Sequence, residues 1–344
     1  MHLCGLTSHV ISQFFFVSFL YSGLLNATIS GDDIGDDIGL LDTVKMCVHG
    51  GIFLTTFFLT YLIVVTVFHT AEPRRNVRFV LLCQHCACVT SFNAVGTILH
   101  GLRALLRVSI NRLTCWVLFD FQVALGRGMG ITLTLMALNT CLSILRPLHY
   151  PALVRRIRSS VMALAWFVAL LNPVLFTALA CAQPSWAYVV ELDPVCSTTL
   201  ESPTSRFSSL ALVVFLVLLI MTSYVLIYME GCRAGHFSRS NSSGRLTILI
   251  HMLQMILYLL PLVPIITRWK HNMAATVTNF VVFLVGQALS PVVYGLRCRE
   301  LREQLPHFLP RWTKVFQTCR DTTDCSSTET PTQHWNCNDL QNRD

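Results

Sequence analysis

Seven stretches of this chain, residues 45–69, 79–102, 115–140, 160–181, 207–229, 246–267 and 274–296, are each long and apolar enough to cross a bilayer. A spanning helix needs about 20 mostly apolar residues, because each rises about 1.5 Å through a hydrocarbon core about 30 Å thick. Lipid satisfies no backbone hydrogen bond, so a crossing segment is a helix or part of a closed barrel. A barrel carries short segments of alternating polarity, which these are not. The pattern predicts an all-α membrane protein, a seven-transmembrane helix bundle over residues 45–296. Hydrophobic residues make up 53% and charged ones only 12% of the 344, as such a bundle requires.

Lys and Arg stay preferentially on the cytoplasmic side of short loops. The segment before the first span has neither, only Asp32, Asp33, Asp36, Asp37 and Asp42. The odd-numbered loops hold Arg74, Arg75 and Arg78, then Arg146, Arg155, Arg156 and Arg158, then Arg233, Arg239 and Arg245. The tail adds Arg297, Arg299, Arg302, Arg311, Lys314 and Arg320. This bias predicts the N-terminus outside and the C-terminus in the cytoplasm. Arg103, Arg107 and Arg112, between spans two and three, run against it. The net charge of +7 is accounted for by orientation and does not call for a nucleic-acid partner.

Residues 1–44 read as an extracellular tail. The apolar run from Val10 to Leu25 falls short of a full span; a cleavable signal peptide is open there, although no basic residue precedes the run and no small-x-small site follows Leu20. Asn26-Ala27-Thr28 is a glycosylation sequon on the expected outer side. The tandem repeat beginning at Gly31 and Gly35 is polar enough to predict a flexible acidic stalk.

Most of the 14 cysteines lie inside expected helices, where Cys acts as a small apolar residue. Cys115, at the outer start of span three, and Cys196, in the loop before span five, are both placed in the oxidising compartment, and a bridge between them would pin that loop over the bundle mouth. Cys83, His85, Cys86 and Cys88 cluster in span two, but their directions scatter around the helix, so packing is expected and no metal site is.

Cys115, then Met136 to Cys141 at the inner end of the same span, then Arg146-Pro147-Leu148-His149-Tyr150, resemble the third-helix region of rhodopsin-like (class A) G-protein-coupled receptors. Trp166 in span four, Pro261 in span six and Ser290 to Tyr294 in span seven fall in the matching places, so the resemblance covers about residues 45–305. Within the class, Ser290 to Arg297 is similar to fish odorant receptors of the 131-2 type, and Arg245 to His251 to an orphan member. The resemblance implies an extracellular ligand, small molecule or peptide, a heterotrimeric G protein and possible recruitment of an arrestin, in the plasma membrane and with no cofactor.

The chain departs from that pattern at several points. The family's Asp-Arg-Tyr triplet falls on Asn139, Thr140 and Cys141, so the arginine that meets the G protein is absent. Thr90 stands near the usual span-two acid, span five has no proline, and Leu259 replaces a tryptophan. Pro261 and Pro264 in span six and Pro291 in span seven each delete a backbone donor and permit a kink, with Tyr294 one turn beyond as a polar group able to exchange partners. These residues are the expected switch; prolines are also simply common in membrane helices.

Arg127, set among Gly126, Gly128 and Gly130, sits about 18 Å along span three from Cys115, too deep for an ordinary end residue. A guanidinium at that depth is costly unless it pairs or meets water. Two readings follow: an anchor for an anionic or acceptor-rich ligand, or a structural role, either paired with Asp120, seven residues earlier on the same face but about two turns away, or captured by carbonyls. Gln122, Tyr258 and Gln287 are further candidates for a ligand cavity, as is Asn93, though helix-to-helix hydrogen bonds explain each as well. His251 and Gln254 are expected to hold helices together.

Enzyme activity finds no support, because no phosphate-cradling Gly-rich Lys motif, His-Glu-x-x-His or Gly-x-Ser-x-Gly occurs. Residues 297–310 suit an amphipathic helix on the inner leaflet with arginines facing anionic lipid, and Cys298 is a palmitoylation candidate. Residues 311–344 read as a disordered cytoplasmic tail whose Ser326, Ser327, Thr328 and Thr330 could accept phosphate. The reading is a G-protein-coupled receptor, odorant-like or orphan. Two alternatives stand beside it: a non-signalling relative, decoy or trafficking partner, which Thr140 would explain, and a transporter or channel, for which no internal repeat is visible.

Overall fold

The computed structural model describes residues 34–69, 77–104, 110–182, 186–193, 199–233, 256 and 278–289. Long helices dominate: α1 (Ile34–His69), α2 (Val77–Ala104), α3 (Arg112–Leu145), α4 (Tyr150–Ala182) and α6 (Pro203–Arg233), with a short α5 (Trp186–Val190) between the last two. All five long helices are long and apolar enough to cross a membrane. A shorter apolar helix, α7 (Thr278–Leu289), lies within the seventh expected span. The sixth span falls almost entirely outside the described residues.

Local sequence accounts for the helix ends. Asn111 caps α3, its side-chain oxygen accepting from the Thr114 amide at 2.9 Å. Pro147 disfavours helical backbone in the residue before it, and Arg146 leaves the helix at φ −137° and ψ 63°. At 34 residues α3 is about 51 Å long, so both ends project beyond a hydrocarbon core of about 30 Å. Pro173 lies inside α4 without ending it.

The bundle is built around α2 and α3. Their most apolar windows are 61% and 56% buried, against 28%, 22% and 22% for α1, α4 and α6, so the latter three present broad faces to lipid. Phe57, Phe58, Phe167, Phe215 and Leu218 are exposed on those faces. The main core joins Phe79, Leu82 and Val89 of α2 to Met129 and Leu133 of α3 and Leu284 of α7. A second cluster joins Ile131 of α3 to Ala165 and Ala169 of α4 and Leu216 of α6.

Polar side chains stitch the helices where lipid offers no partner. His85 Nδ1 on α2 donates to Thr132 Oγ1 on α3 at 3.2 Å, because the threonine hydrogen already goes to the Gly128 carbonyl. Thr60 on α1 meets Thr90 Oγ1 at 2.9 Å and the Cys86 carbonyl at 3.3 Å. Cys83, Cys86 and Cys88 are free, and among the described residues no His, Cys, Asp and Glu group could hold a metal ion.

One expectation is corrected at the start of the chain. The acidic repeat reads as a flexible stalk, yet α1 begins at Ile34, inside it. Asp42, assigned to the tail, is buried because it has partners on α2.

Candidate functional site

Asp120, Arg127, Ile131 and Leu135 share one stripe of α3, since residues three, four and seven apart recur on the same face. Ile131 and Leu135 pack against Ala165, Ala169, Leu212 and Leu216, so this stripe faces α4 and α6. Arg127 is partly buried, and its Nε and Nη1 are buried with no hydrogen-bond partner among the described residues. Asp120 is buried with Oδ1 likewise unpartnered. The two side chains do not pair with each other among these atoms.

The glycines around Arg127 serve close packing on the neighbouring faces. A Cβ on Gly126 would meet the Phe92 ring at 3.6 Å, and one on Gly128 would meet Cys88 Sγ at 3.6 Å and Trp166 at 3.9 Å. Gln122 is buried, but five residues of helix turn it about 140° from Arg127. Gln287 on α7 is fully buried with both amide atoms unpartnered among the described residues, and α7 packs on the Phe92 side of the core. The cavity candidates therefore divide between two faces of α3.

A polar seam between α4 and α6 escaped the sequence reading. Asn172 Nδ2 donates to Ser208 Oγ, and Ser205 Oγ donates to Asn172 Oδ1 at 3.3 Å. One turn and more along α4, Thr177 faces the Asp120 carboxyl and lies 2.9 Å from Thr199 Oγ1. Its sequence signal was an Asn inside span four with serines three apart at the start of span five.

The Asp120 end of α3 is capped by residues 186–193. Ile110–Asn111 (β1) pairs antiparallel with Leu192–Asp193 (β2), Ile110 opposite Asp193. Arg112 donates its amide to the Glu191 carbonyl and Nη1 to the Tyr188 carbonyl, both at 2.9 Å, and its guanidinium lies 3.7 Å from the Tyr188 ring centre. Cys115 is fully buried and disulfide-bonded; every other described cysteine is free, so its partner lies outside the described residues.

At the same end, α1 and α2 share a buried ionic cluster. His100 Nδ1 donates to Asp42 Oδ1 at 3.0 Å, and Arg103 Nη2 lies 3.2 Å from Asp42 Oδ2. His49 stacks on His100 with centroids 5.7 Å apart, and its Nδ1 donates to Asn93 Oδ1 at 3.0 Å. Arg103 and Arg112, which ran against the charge bias, are thus each held by an acid of the same end. Asn93 was singled out from the sequence and His49 and His100 were not, although ionisable residues inside an apolar segment were the signal to follow.

At the opposite end, Tyr150 donates its hydroxyl to Asn139 Oδ1 at 2.8 Å. Thr140 donates to the Met136 carbonyl of its own helix at 2.9 Å, and Cys141 is buried. Arg155 and Arg156 are exposed on α4. Asn26, Cys196, Tyr258, Pro261, Pro291, Tyr294 and Cys298 lie outside the described residues.

No protein-family model matches the chain. It is similar to a human protein named olfactory receptor 1F12P, 29% identical over 230 residues, covering 61% of this chain and 66% of that protein. Human olfactory receptor 13D1 is 24% identical over 224 residues, covering 60% and 63% respectively. Human olfactory receptor 2Z1 is 25% identical over 210 residues, covering 56% and 65%. The matched region thus spans slightly less than two thirds of each of these relatives.

Proposed function

We propose that this chain, a multi-pass plasma-membrane relative of the rhodopsin-like (class A) G-protein-coupled receptors, binds an extracellular ligand and signals through a heterotrimeric G protein. The bundle has seven spans, with the Asp42 end outside and the Asn139 end in the cytoplasm. Cys115 pairs with Cys196, Asn26 carries glycan, and the tail beyond the amphipathic 297–310 helix recruits an arrestin when phosphorylated. The observation that carries the reading is Arg127, whose buried Nε and Nη1 have no hydrogen-bond partner among the described residues. An intramembrane cation left open in this way is costly to keep unless something comes to it. Inward movement of the signal then runs through Pro261, Pro291 and Tyr294, with Arg155, Arg156 and Tyr294 supplying the inner contacts.

A second reading, a non-signalling decoy, is favoured by the inner end of α3. Thr140 is short, and its hydroxyl is spent on the Met136 carbonyl, so it reaches nothing beyond its own helix. A ligand screen in cells carrying a promiscuous G protein separates the two. Weak signalling in the wild type, raised by Thr140→Arg, supports the receptor reading. Silence across all G-protein classes with a bound ligand, relieved by Asn139→Asp with Thr140→Arg, decides for the decoy.

A further inference from the structure

We infer that the α3 face carrying Asp120 and Arg127 binds a dipolar ligand, with an acid group held by Arg127 and a protonated amine held by Asp120. The inference rests on the reading of Arg127 as a ligand anchor and extends it to a ligand class. The two residues carry opposite charges on one helix face, each has a buried, unpartnered polar atom, and they do not satisfy each other. A group bearing one charge relieves one of them and leaves the other orphaned. A group bearing both relieves both, and each contact is charge-assisted.

The surroundings suit such a ligand. Ile131, one turn from Arg127, packs in one cluster with Ala165 and Ala169 of α4, while Asp120 meets Thr177 further along α4. Arg127 therefore lies at the level between them, where Asn172, Ser205 and Ser208 line the seam of α4 and α6. Ser205 and Ser208 give their hydroxyl hydrogens to Asn172 Oδ1 and the Ser205 carbonyl, so the second hydrogen of Asn172 Nδ2 is the donor this seam offers to a carboxylate. Beyond Asp120 the site meets the Thr177–Thr199 contact and then the 186–193 cap.

Spacing selects ligand length. Seven residues separate the two Cα atoms by about 10 Å along the helix axis. The ligand must therefore carry its acid and its amine on separate atoms of one chain, and the short ω-amino acids are the class whose length can be graded against this spacing.

The test is thermal stability of the full-length protein in detergent micelles, a readout that needs no G protein. Glycine, 4-aminobutanoate, 5-aminopentanoate and 6-aminohexanoate are compared with pentanoate and pentylamine. The expected result is a rise in melting temperature with the four- or five-carbon amino acids, at concentrations at least tenfold below those the singly charged compounds require. Arg127→Gln should reduce 5-aminopentanoate to the level of pentylamine, and Asp120→Asn to that of pentanoate. Should these variants fold poorly, Asp120→Glu keeps the charge and, by lengthening the arm, should move the optimum to a shorter amino acid. The inference is overturned if no compound stabilises the folded wild type, if pentanoate or pentylamine equals the dipolar compounds, or if the length optimum ignores Asp120→Glu. Binding in micelles with silence in cells sinks the signalling reading alone. Signalling to acids that is indifferent to Asp120→Asn sinks this inference and leaves the receptor reading intact.

Discussion

Gly96 and His49 occupy adjoining space with none to spare: a Cβ on residue 96 would lie 2.6 Å from His49 Cε1 and Nε2. The ring cannot retreat easily, because Asn93 holds its Nδ1 at 3.0 Å and Phe280 abuts it edge-on with centroids 5.1 Å apart. Gly96→Ala should therefore destabilise the protein by about 1–3 kcal/mol, the usual cost of overpacking a fixed core. The check is melting in detergent together with His49→Ala and the double variant. The pair should be strongly non-additive, the double variant falling no further than His49→Ala alone; simple additivity would show that the contact is not the cause.

Asp42 is shared by His100 and Arg103, at 3.0 Å and 3.2 Å. Asp42→Ala leaves a buried histidine and a largely buried arginine without their acid, and breaking a buried pair from one side costs about 3 kcal/mol. Reduced surface expression and a lower melting temperature are expected. Adding Arg103→Ala should recover part of the loss, and a double variant worse than the sum of the singles would contradict the pairing.

Replacement of Cys115 or Cys196 by Ser should lower surface expression to the same degree, with the double variant no worse than either. Clearly additive losses would mean that Cys115 takes its disulfide elsewhere. The expected stability cost is about 2–4 kcal/mol.

Topology is checked by epitope tags at residue 2, near Asp37 and at residue 344. The Asp37 tag should stain on intact cells and the residue 344 tag only after permeabilisation. The residue 2 tag stains outside or is lost with a cleaved leader. Surface staining at both Asp37 and residue 344 would rule out an odd number of spans between them.

The departures between sequence and structure have specific causes. Spans one to five were legible because about 20 uninterrupted apolar residues leave no alternative to a crossing helix. The Asp42 cluster was not, since nothing in the acidic run before span one says that α1 continues into it, and an acid tolerates burial only once His100 and Arg103 are brought across from α2. Arg127 stood out from depth alone, but whether Asp120 neutralised it depended on side-chain direction, which spacing does not determine.

By itself the sequence determined the membrane class, the helical state of the apolar segments and the expected sidedness, because hydrocarbon thickness and backbone hydrogen bonding act on each segment independently of its neighbours. Only the tertiary structure decided which polar residues meet. It gave Asp42 two cations, left Asp120 and Arg127 without a contact to each other, and brought Asn172 to the serines of α6. Those outcomes depend on which face each helix presents to which neighbour, and that choice is made by packing around Gly96, Gly126 and Gly128, where close approach of helices outweighs the cost of a missing side chain.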